Sequence, residues 1–402
     1  MTELLFKKVQ DSILMARCVQ GELCELIVEP LAPTDLDTAQ TGLIYLGFVE
    51  RVVPNLQAAF VDIGQDRAGF LGAREAKILA ENPDPETNIE DCVAAGDTVL
   101  VQVTRLASGE KGASLTANVT LPGRHLVLAP CSSRIAVSRS IADEAERQRL
   151  ADLAEAARAE LNIDGLDGPA GWVLRTAAEG VSADILKEDM QQVAADWDAV
   201  LDKADAHEPP FLVHQDVGGI AKLLRDHVQS ETKKIIIEGT DLAQAAQDYM
   251  QQNMANQLDL IEAAQDEDIF ERHDIHTQLD KARAPRVDLA SGAWLMIETT
   301  QAMTTIDVNS GAQNGSAFEV NLDAAKHIAR EIRLRAIGGL IAIDFIDMDA
   351  DTNSEPIVEA LLASFDDDKT PVRIGDMSDF GVVEMTRKRE RQPLSKALSF
   401  ME

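Results

Sequence analysis

Two similar stretches in the last third of the chain each place an aspartate directly after an isoleucine. TTIDVNSG (304–311) contains Asp307 and Asn309, and IAIDFIDM (341–348) contains Asp344. Both stretches otherwise have the apolar composition of a buried strand. A carboxylate inside such a strand is costly unless a partner compensates its charge. The pattern therefore indicates that the two carboxylates bind a common partner.

The segment between these stretches has the pattern of a helix. In NLDAAKHIAREIRLRAIGG, apolar residues recur at 322, 325, 328, 329 and 332, the spacing of one helix face. Gly338 and Gly339 follow in the place of a helix C-cap. A strand–helix–strand crossover makes its two strands parallel in one sheet. We therefore predict that Asp307 and Asp344 lie at matching depth on parallel strands.

This arrangement suits a divalent cation. Neighbouring strands lie about 4.8 Å apart, so both carboxylates could reach one Mg²⁺, whose ligand oxygens lie at about 2.0–2.1 Å. The cation would offset their mutual repulsion. Asn309, two residues after Asp307, has its side chain on the same face and could hold a water bound to the metal. The alternative is that each aspartate caps a neighbouring loop. The seven histidines show no paired spacing that would favour a zinc or histidine-based hydrolase.

The composition is that of a globular protein with an acidic surface. The 402 residues are enough for two or three domains. The formal charge of −32 argues against a simple polyanion-binding surface but leaves room for a local basic groove. The four cysteines lack metal-ligand spacing and are typical of reduced thiols in a cytoplasmic protein. We expect neither a signal peptide nor a membrane span.

The order of the predicted elements indicates a mixed α/β protein of several domains. Residues 1–38 read as two strands, ELLFKKV and LCELIVEP. Five short alternating runs between 41 and about 118 predict a small barrel of the OB type. Strands and helices then mix to 214, a further strand and helix follow near 233–257, and a βαβ pattern begins after 280.

Several longer motifs, in the same order, resemble the ribonuclease E/G family. They are AAFVDIGQDRAGFL, GEKGASLTANVTLPGRHLVLAP, GWVLRTAAEG, TTIDVNSG, NLDAAKHIAREIRLRAIGGLIAIDFIDMD and GVVEMTRKRERQPL. The resemblance implies a split RNase H-like part around an OB-fold RNA-binding domain and a 5′-sensor region, then a DNase I-like catalytic domain. The implied boundaries are 1–38 and 215–280 for the RNase H-like part, 39–118 for the barrel, 119–214 for the sensor and 281–402 for the catalytic domain.

The resemblance also implies a function. The family cuts single-stranded RNA with Mg²⁺ held by two aspartates, which match Asp307 and Asp344, while Asn309 matches a supporting asparagine. The expected roles are processing of rRNA and decay of mRNA, with no action on DNA. The alternative is a non-catalytic RNA-binding relative or assembly factor, against which the intact set of three residues argues.

RNA-binding residues follow from the same resemblance. Phe60 and Phe70, on consecutive barrel strands, match phenylalanines that contact bases, and exposed aromatics on such a barrel stack on unpaired bases. Without the family, both would read as core residues. Lys111 matches a lysine near the RNA path, although it also fits a plain loop lysine. Arg373, in PVRIGD, matches an arginine near the active site or the RNA path. The basic run TRKRER (386–391) could contact phosphates or be a solvated helix end.

The resemblance further implies a sensor for a 5′-monophosphate. Arg175 and Thr176 match the phosphate-binding pair, supported by residues that match Gly123 and Val127. A guanidinium and a hydroxyl at a strand end suit a terminal phosphate, since arginine can donate two parallel hydrogen bonds to it. The alternative for Arg175 is a surface ion pair.

Three positions depart from the family pattern, and so does the C-terminal end. Gln301 stands where a glutamate is usual, Ala293 replaces a glycine and Leu46 replaces a lysine, changes that would soften the RNA surface. The family's cysteine-containing segment that binds zinc between subunits has no counterpart before Glu402. The expectation is therefore no zinc, and a monomer or a homo-oligomer that zinc does not link.

Overall fold

A computed structural model describes residues 1–31, 41–107, 112–166, 168–265, 267–311, 315–349, 352–366 and 368–398. The chain divides into two compact units. One comprises Met1–Leu31 and Glu231–Glu402, and the other comprises Ala32–Ser230.

Strands in the described residues are, in chain order, β1 (Thr2–Val9), β2 (Ser12–Val19), β3 (Glu22–Pro30), β4 (Ile44–Val53), β5 (Ala58–Asp62), β6 (Gly69–Gly72), β7 (Thr98–Arg105), β8 (Ser114–Thr116), β9 (Leu121–Pro122), β10 (Leu126–Ala129), β11 (Ile135–Val137), β12 (Gly171–Leu174), β13 (Phe211–His214), β14 (Thr232–Glu238), β15 (Ile261–Ala264), β16 (Arg286–Asp288), β17 (Trp294–Thr299), β18 (Met303–Asn309), β19 (Gly339–Asp344), β20 (Val372–Met377) and β21 (Val382–Arg387).

Helices in the same part of the chain are α1 (Ala73–Ala76), α2 (Ile89–Cys92), α3 (Glu144–Leu161), α4 (Ala183–Ala206), α5 (Gly219–His227), α6 (Thr240–Asn253), α7 (Ile269–Arg272), α8 (Ile275–Arg283), α9 (Ala317–Leu334), α10 (Glu355–Ala363) and α11 (Leu394–Ala397). In this part of the chain, no helix combines the length and the apolar character needed to cross a membrane.

The first unit contains two sheets. One has the strand order β15-β14-β1-β2-β3, so the first strand of the chain pairs in parallel with a strand more than 220 residues away. The other has the order β16-β17-β18-β19-β21-β20. Its two central strands, β18 and β19, are parallel, and the outer strands pair antiparallel. One face packs against α9 and α10 through a core that includes Ile306, Ile343 and Ile328.

The second unit contains a closed barrel and a separate four-stranded sheet. Strands β4, β5, β6, β8 and β7 form the barrel, which closes where β7 pairs with β4. This confirms the predicted OB-like barrel. The separate sheet has the order β11-β12-β10-β9, and its core includes the buried Trp172 and Trp197. The protein is thus a mixed α/β chain, as predicted, whereas the RNase H-like and DNase I-like assignments stay predictions.

Local predictions failed at three points. The segment 12–19 forms β2, a strand that the sequence reading missed between its two predicted strands. In the described residues after 280, the sheet is antiparallel except for one parallel crossover, β18-α9-β19, so the βαβ pattern does not continue to the end. The basic run 386–391 leaves strand β21 and is not a helix end.

Helix α9 also ends earlier than the glycine pair suggested. Its last residue is Leu334, and Ala336 takes the left-handed conformation, with φ of 51°, that a glycine usually takes there. The Ile337 N–H donates to the Ile332 carbonyl at 2.9 Å and the Ala336 N–H donates to the Arg333 carbonyl at 3.1 Å, which is a Schellman cap. Gly338 and Gly339 instead make room for Arg389, whose Nε donates to the Gly338 carbonyl at 3.0 Å.

The two compact units meet in sequence between Ser230 and Glu231, while the five domain ranges from the sequence stay predictions. Helix α5 belongs with the barrel and the four-stranded sheet. It is attached to the four-stranded sheet by the Arg124 side chain, which lies between β9 and β10. Its guanidinium donates to the backbone carbonyls of Arg225 and Val228, each at 2.6 Å.

Candidate functional site

The twin aspartates face each other on the central parallel strands. The register pairs Ile306 with Ile343 and Asp307 with Asp344, as the crossover predicted. The two Cα atoms therefore lie at the spacing of neighbouring strands, about 4.8 Å. Both aspartates are the last or nearly the last residues of their strands, so the pair lies where the carboxyl ends of β18 and β19 meet.

Burial of these carboxylates was predicted wrongly. Along β18, buried and exposed residues alternate, and Ile306 and Val308 pack into the core while Asp307 points to the open face. Asp344 is likewise exposed, after the buried Ile343. Among the described residues, α9 and α10 pack on the opposite face of this sheet, and both aspartates are exposed. The burial cost expected from the apolar stretches therefore does not arise.

Asn309 supports the pair. Its Nδ2 donates a hydrogen bond to Asp307 Oδ2 at 2.9 Å. This bond orients the Asp307 carboxylate through one of its two oxygens. Within the residues that the structure describes, no group of three or more His, Cys, Asp and Glu side chains is placed to hold a metal ion. The donor set is therefore two carboxylates, which fits Mg²⁺ because this ion usually keeps several waters and uses only one or two protein carboxylates.

Arg373 lies on the same open face, at a distance. It pairs with Thr386 of β21, which pairs with Leu340 of β19, four residues before Asp344. From strand spacing and rise, its Cα is about 16 Å from that of Asp344. Its exposed guanidinium could meet a phosphate away from the aspartates, but it does not reach them.

Phe60 and Phe70 are direct cross-strand partners on the outside of the barrel. Their ring centroids lie 6.1 Å apart at an interplanar angle of 83°, an edge-to-face pair. The Arg51 guanidinium lies 4.2 Å from the Phe60 ring centroid. Phe70 is 40% exposed, whereas neighbouring Ala59 and Leu71 fill the barrel interior. Neither phenylalanine is therefore among the buried core residues.

Lys111 lies outside the described residues.

The three departures from the family pattern occupy different environments. Leu46 is buried, with 7% exposure, and Ala293 is buried in the core of the six-stranded sheet, while Gln301 is exposed in the turn before β18. Leu46 packs into the same core as Trp172 and Trp197 of the four-stranded sheet, so it adds no apolar side chain to the surface.

The predicted sensor residues come together at one end of the four-stranded sheet. Arg175 follows β12, and its backbone N–H donates to the His125 carbonyl just before β10. Its Nη1 donates to the Gly123 carbonyl at 2.9 Å. Val127 pairs with Val173, two residues before Arg175, and the Thr176 and Ser138 hydroxyls lie 3.1 Å apart. The structure thus brings Gly123 and Arg175 into contact and places Val127 and Thr176 beside them.

An ion-pair network behind Arg175 was missed by the sequence reading. Arg175 Nη2 donates to Asp226 Oδ1 at 2.8 Å. Asp226 also accepts from Arg225, which is bound in turn to Asp216 through both terminal nitrogens. Burial acts to raise the pKa of Asp226, but Arg225 and Arg175 outweigh it and hold that pKa well below its usual range. Arg175 is therefore in an ion pair, the alternative considered, and that pair also fixes where its remaining N–H groups point.

Asp189 holds the turn that carries Gly123. Its carboxylate accepts from the backbone N–H groups of Arg124, at 3.1 Å, and His125, at 2.7 Å. Burial acts to raise the pKa of Asp189, and the bonds from His125 and Arg124 outweigh it, so the pKa is lowered. A Cβ on Gly123 would lie 2.7 Å from Val193 Cγ2 and 2.9 Å from Asp189 Oδ1, so the turn requires a glycine.

The basic run 386–391, which begins at the end of β21, is largely occupied by structural contacts. Arg387, 5% exposed, pairs with Asp368 and donates to the Ile337 carbonyl. Arg389 holds Gly338, and Arg391 pairs with Glu25. Lys388, with a side chain 61% exposed, pairs with Glu390 at 3.1 Å. The run therefore holds the end of β21 to Asp368, to the residues that follow α9 and to β3, which its sequence did not suggest.

Comparisons with known proteins agree with the geometry. The family model described as Ribonuclease E/G family matches residues 120–390. Ribonuclease G of Haemophilus influenzae is 34% identical over 98% of this chain and 81% of its own length, and ribonuclease G of Escherichia coli K12 is 32% identical over the same shares. Ribonuclease E of Nostoc is 36% identical over 88% of this chain and 52% of its own length. The chain belongs to the ribonuclease E/G family.

Proposed function

We propose that this protein is an Mg²⁺-dependent endoribonuclease that cuts single-stranded RNA, in the processing or decay of rRNA or mRNA. The observation that carries the proposal is the direct pairing of Asp307 with Asp344 on an open sheet face. Family membership supports the ribonuclease activity, since the relatives named above are ribonucleases.

Asp307 and Asp344 would hold the cation between them, with Asn309 orienting Asp307 through its 2.9 Å hydrogen bond. Mg²⁺, when bound, supplies a Lewis acid that activates water and stabilises charge on the scissile phosphate. The open face leaves the phosphate free to approach, and no side-chain nucleophile is required.

Base stacking and a terminal contact would bind the rest of the RNA. Phe60 and Phe70 offer aromatic faces on the barrel, Arg373 offers a cation on the catalytic sheet, and Lys111 is assigned an RNA contact by the resemblance alone. Arg175 and Thr176, with support from Gly123 and Val127, would bind a 5′-monophosphate. The guanidinium is already fixed by Asp226 and Gly123, so it can receive a phosphate with little further ordering.

The test is cleavage of a 5′-monophosphorylated single-stranded RNA with Mg²⁺ and with EDTA. Asp307→Asn and Asp344→Asn should abolish cleavage while RNA binding persists, because the change removes the cation site and leaves the RNA contacts. Glu384→Gln is the matched control, since Glu384 is an exposed carboxylate on the same face, opposite Ala342. Near-normal Mg²⁺-dependent turnover in either aspartate variant would overturn the two-carboxylate site.

A further inference from the structure

Phe380 is the most exposed large apolar side chain in the described residues, at 84%. It lies at the tip of the hairpin that joins β20 to β21. The Gly381 N–H donates to the Ser378 carbonyl at 3.0 Å, the Ser378 N–H donates to the Val382 carbonyl at 2.9 Å, and Gly381 has φ of 74°. This turn needs a glycine at 381 and nothing aromatic at 380. The fold therefore gives no reason for a phenylalanine there.

The hairpin tip lies beside the twin aspartates. Val382, two residues after Phe380, is the direct cross-strand partner of Asp344. The Phe345 N–H, just after Asp344, donates to the Gly381 carbonyl at 3.2 Å. Phe380 therefore sits at the same end of the sheet as the carboxylate pair.

A second aromatic residue flanks the pair on the other side. Trp294 of β17 is the direct partner of Asn309, and the Arg286 guanidinium lies 4.5 Å from its ring centroid. Strand β17 is three strand spacings from β21, about 14 Å. Bases of a strand that crosses the carboxylates would therefore meet an aromatic side chain on each side.

The excess of negative charge makes base stacking important for RNA binding by this chain. With 37 basic and 69 acidic residues, the protein repels phosphates over most of its surface, so affinity must come largely from contacts that do not depend on charge. Stacking on an aromatic ring is such a contact, and it tolerates any base.

We propose that Phe380 stacks on the base of a nucleotide next to the scissile phosphate and so sets the register of the RNA over Asp307 and Asp344. The proposal rests on the proposed function and adds a residue that selects where the strand is cut. A substitution at 380 should therefore act on the substrate and leave the fold unchanged.

Cleavage kinetics of Phe380→Ala, Phe380→Trp and the control Leu362→Ala test this, on oligonucleotides with an abasic nucleotide at single positions around the cut. Leu362 is 52% exposed on α10, which covers the other face of the sheet. Phe380→Ala should lower kcat/KM by roughly five- to a hundredfold, the range that loss of one stacked base gives. Phe380→Trp should restore most of it. An abasic nucleotide at one position should lower kcat/KM of the wild type as much as Phe380→Ala does on the intact RNA. The same abasic substrate should hardly lower kcat/KM of Phe380→Ala further.

A binding measurement separates this inference from the proposed function. RNA with 2-aminopurine at single positions, bound without Mg²⁺, should be quenched at one position by the wild type and not by Phe380→Ala. No Phe380-dependent quench at any position, or a changed oligomeric state of Phe380→Ala without RNA, would overturn the stacking role even if cleavage proceeds. A Phe380-dependent quench without any Mg²⁺-dependent cleavage would support stacking and refute the proposed nuclease.

Discussion

Arg175 and Asp226 form an ion pair at 2.8 Å, and the same guanidinium donates to the Gly123 carbonyl at 2.9 Å. Two of the five N–H groups of its guanidinium are thus bound to the protein, and within the described residues the other three have no hydrogen-bond partner. Both side chains of the pair are 23% exposed, so a ligand can reach the guanidinium from solvent. The arginine is a fixed donor rather than a mobile one.

The first prediction concerns Arg175 itself. Arg175→Ala should lower kcat/KM on 5′-monophosphorylated RNA by roughly ten- to a hundredfold, since a charge-assisted hydrogen bond contributes about 1.5–3 kcal/mol. Arg175→Lys should recover only part, because an ammonium cannot reproduce the planar set of donors. Paired assays on 5′-phosphate and 5′-hydroxyl RNA measure this. An equal loss on both substrates would mean that Arg175 is structural and that the sensor assignment is wrong.

Asp226→Asn should weaken the preference for 5′-monophosphorylated over 5′-hydroxyl RNA, although Asp226 itself does not contact the phosphate. Loss of the carboxylate charge frees Arg175 from its position, so the preference for 5′-monophosphate should fall while cleavage of 5′-hydroxyl RNA persists. Stability should fall by less than the about 3–5 kcal/mol of a fully buried pair, since the pair is partly exposed. Asp216→Asn is the matched control, because Asp216 is bound to Arg225 and has no hydrogen bond with Arg175 in the described residues. An unchanged phosphate preference in Asp226→Asn would contradict the positioning role.

Gly123→Ala should destabilise the second unit. The new methyl would lie 2.7 Å from Val193 and 2.9 Å from Asp189, and Asp189 cannot move freely because it accepts two backbone N–H groups. Overpacking of this kind costs about 1–3 kcal/mol. Thermal unfolding measures it, with Gly72→Ala as control, since the nearest side-chain atom to a Cβ at Gly72 is 3.5 Å away. Equal melting temperatures for the two variants would refute the close packing.

The register of the twin aspartates could be predicted because it follows from local pattern and a general topological rule. The helix between them is evident from its apolar spacing, and a crossover of this kind forces parallel strands. Their exposure could not be predicted from the strands alone. Whether a strand is covered on one face or two depends on which helices pack on it, and α9 and α10 both pack on the same face.

Long-range charge pairing was also beyond the sequence. Arg175 and Asp226 are 51 positions apart, in a strand end and a helix, and no local pattern joins them. The run at 386–391 misled for the same reason, because the partners of Arg387 and Arg391 are Asp368 and Glu25. The cap of α9 is a third case: the left-handed residue is Ala336, before the glycines, and Gly338 instead accepts a hydrogen bond from the distant Arg389.

Acid should unfold the first unit partly through Asp268. Burial acts to raise its pKa, but Lys7, at 2.6 Å, and the N–H groups of Glu271 and Phe270 lower it to about 2 from 3.8. A carboxyl whose folded pKa is depressed stabilises the fold above its unfolded pKa and loses that contribution as the pH falls through the folded value. Asp268→Asn should therefore be less stable than wild type near neutral pH, and the two should converge near pH 2. Denaturant unfolding across that range measures it, and a constant difference at all pH values would contradict the assignment.

The last prediction uses salt to separate stacking from charge in RNA binding. Phe70→Ala should weaken binding of a single-stranded RNA by about 1–3 kcal/mol, the usual contribution of one stacked base. The loss should be the same at every salt concentration, because stacking releases no counterions. Arg373→Ala, if that arginine contacts a phosphate, should instead reduce the slope of log affinity against log salt by about 0.7, the value for one contact to a single strand. Leu56→Ala is the control for exposed apolar surface, since Leu56 is 60% exposed in the turn before β5. Titrations at several salt concentrations give both quantities. A changed slope in Phe70→Ala would contradict a contact that is independent of charge. A lower melting temperature with unchanged affinity would show that Phe70 stabilises the barrel and does not bind RNA.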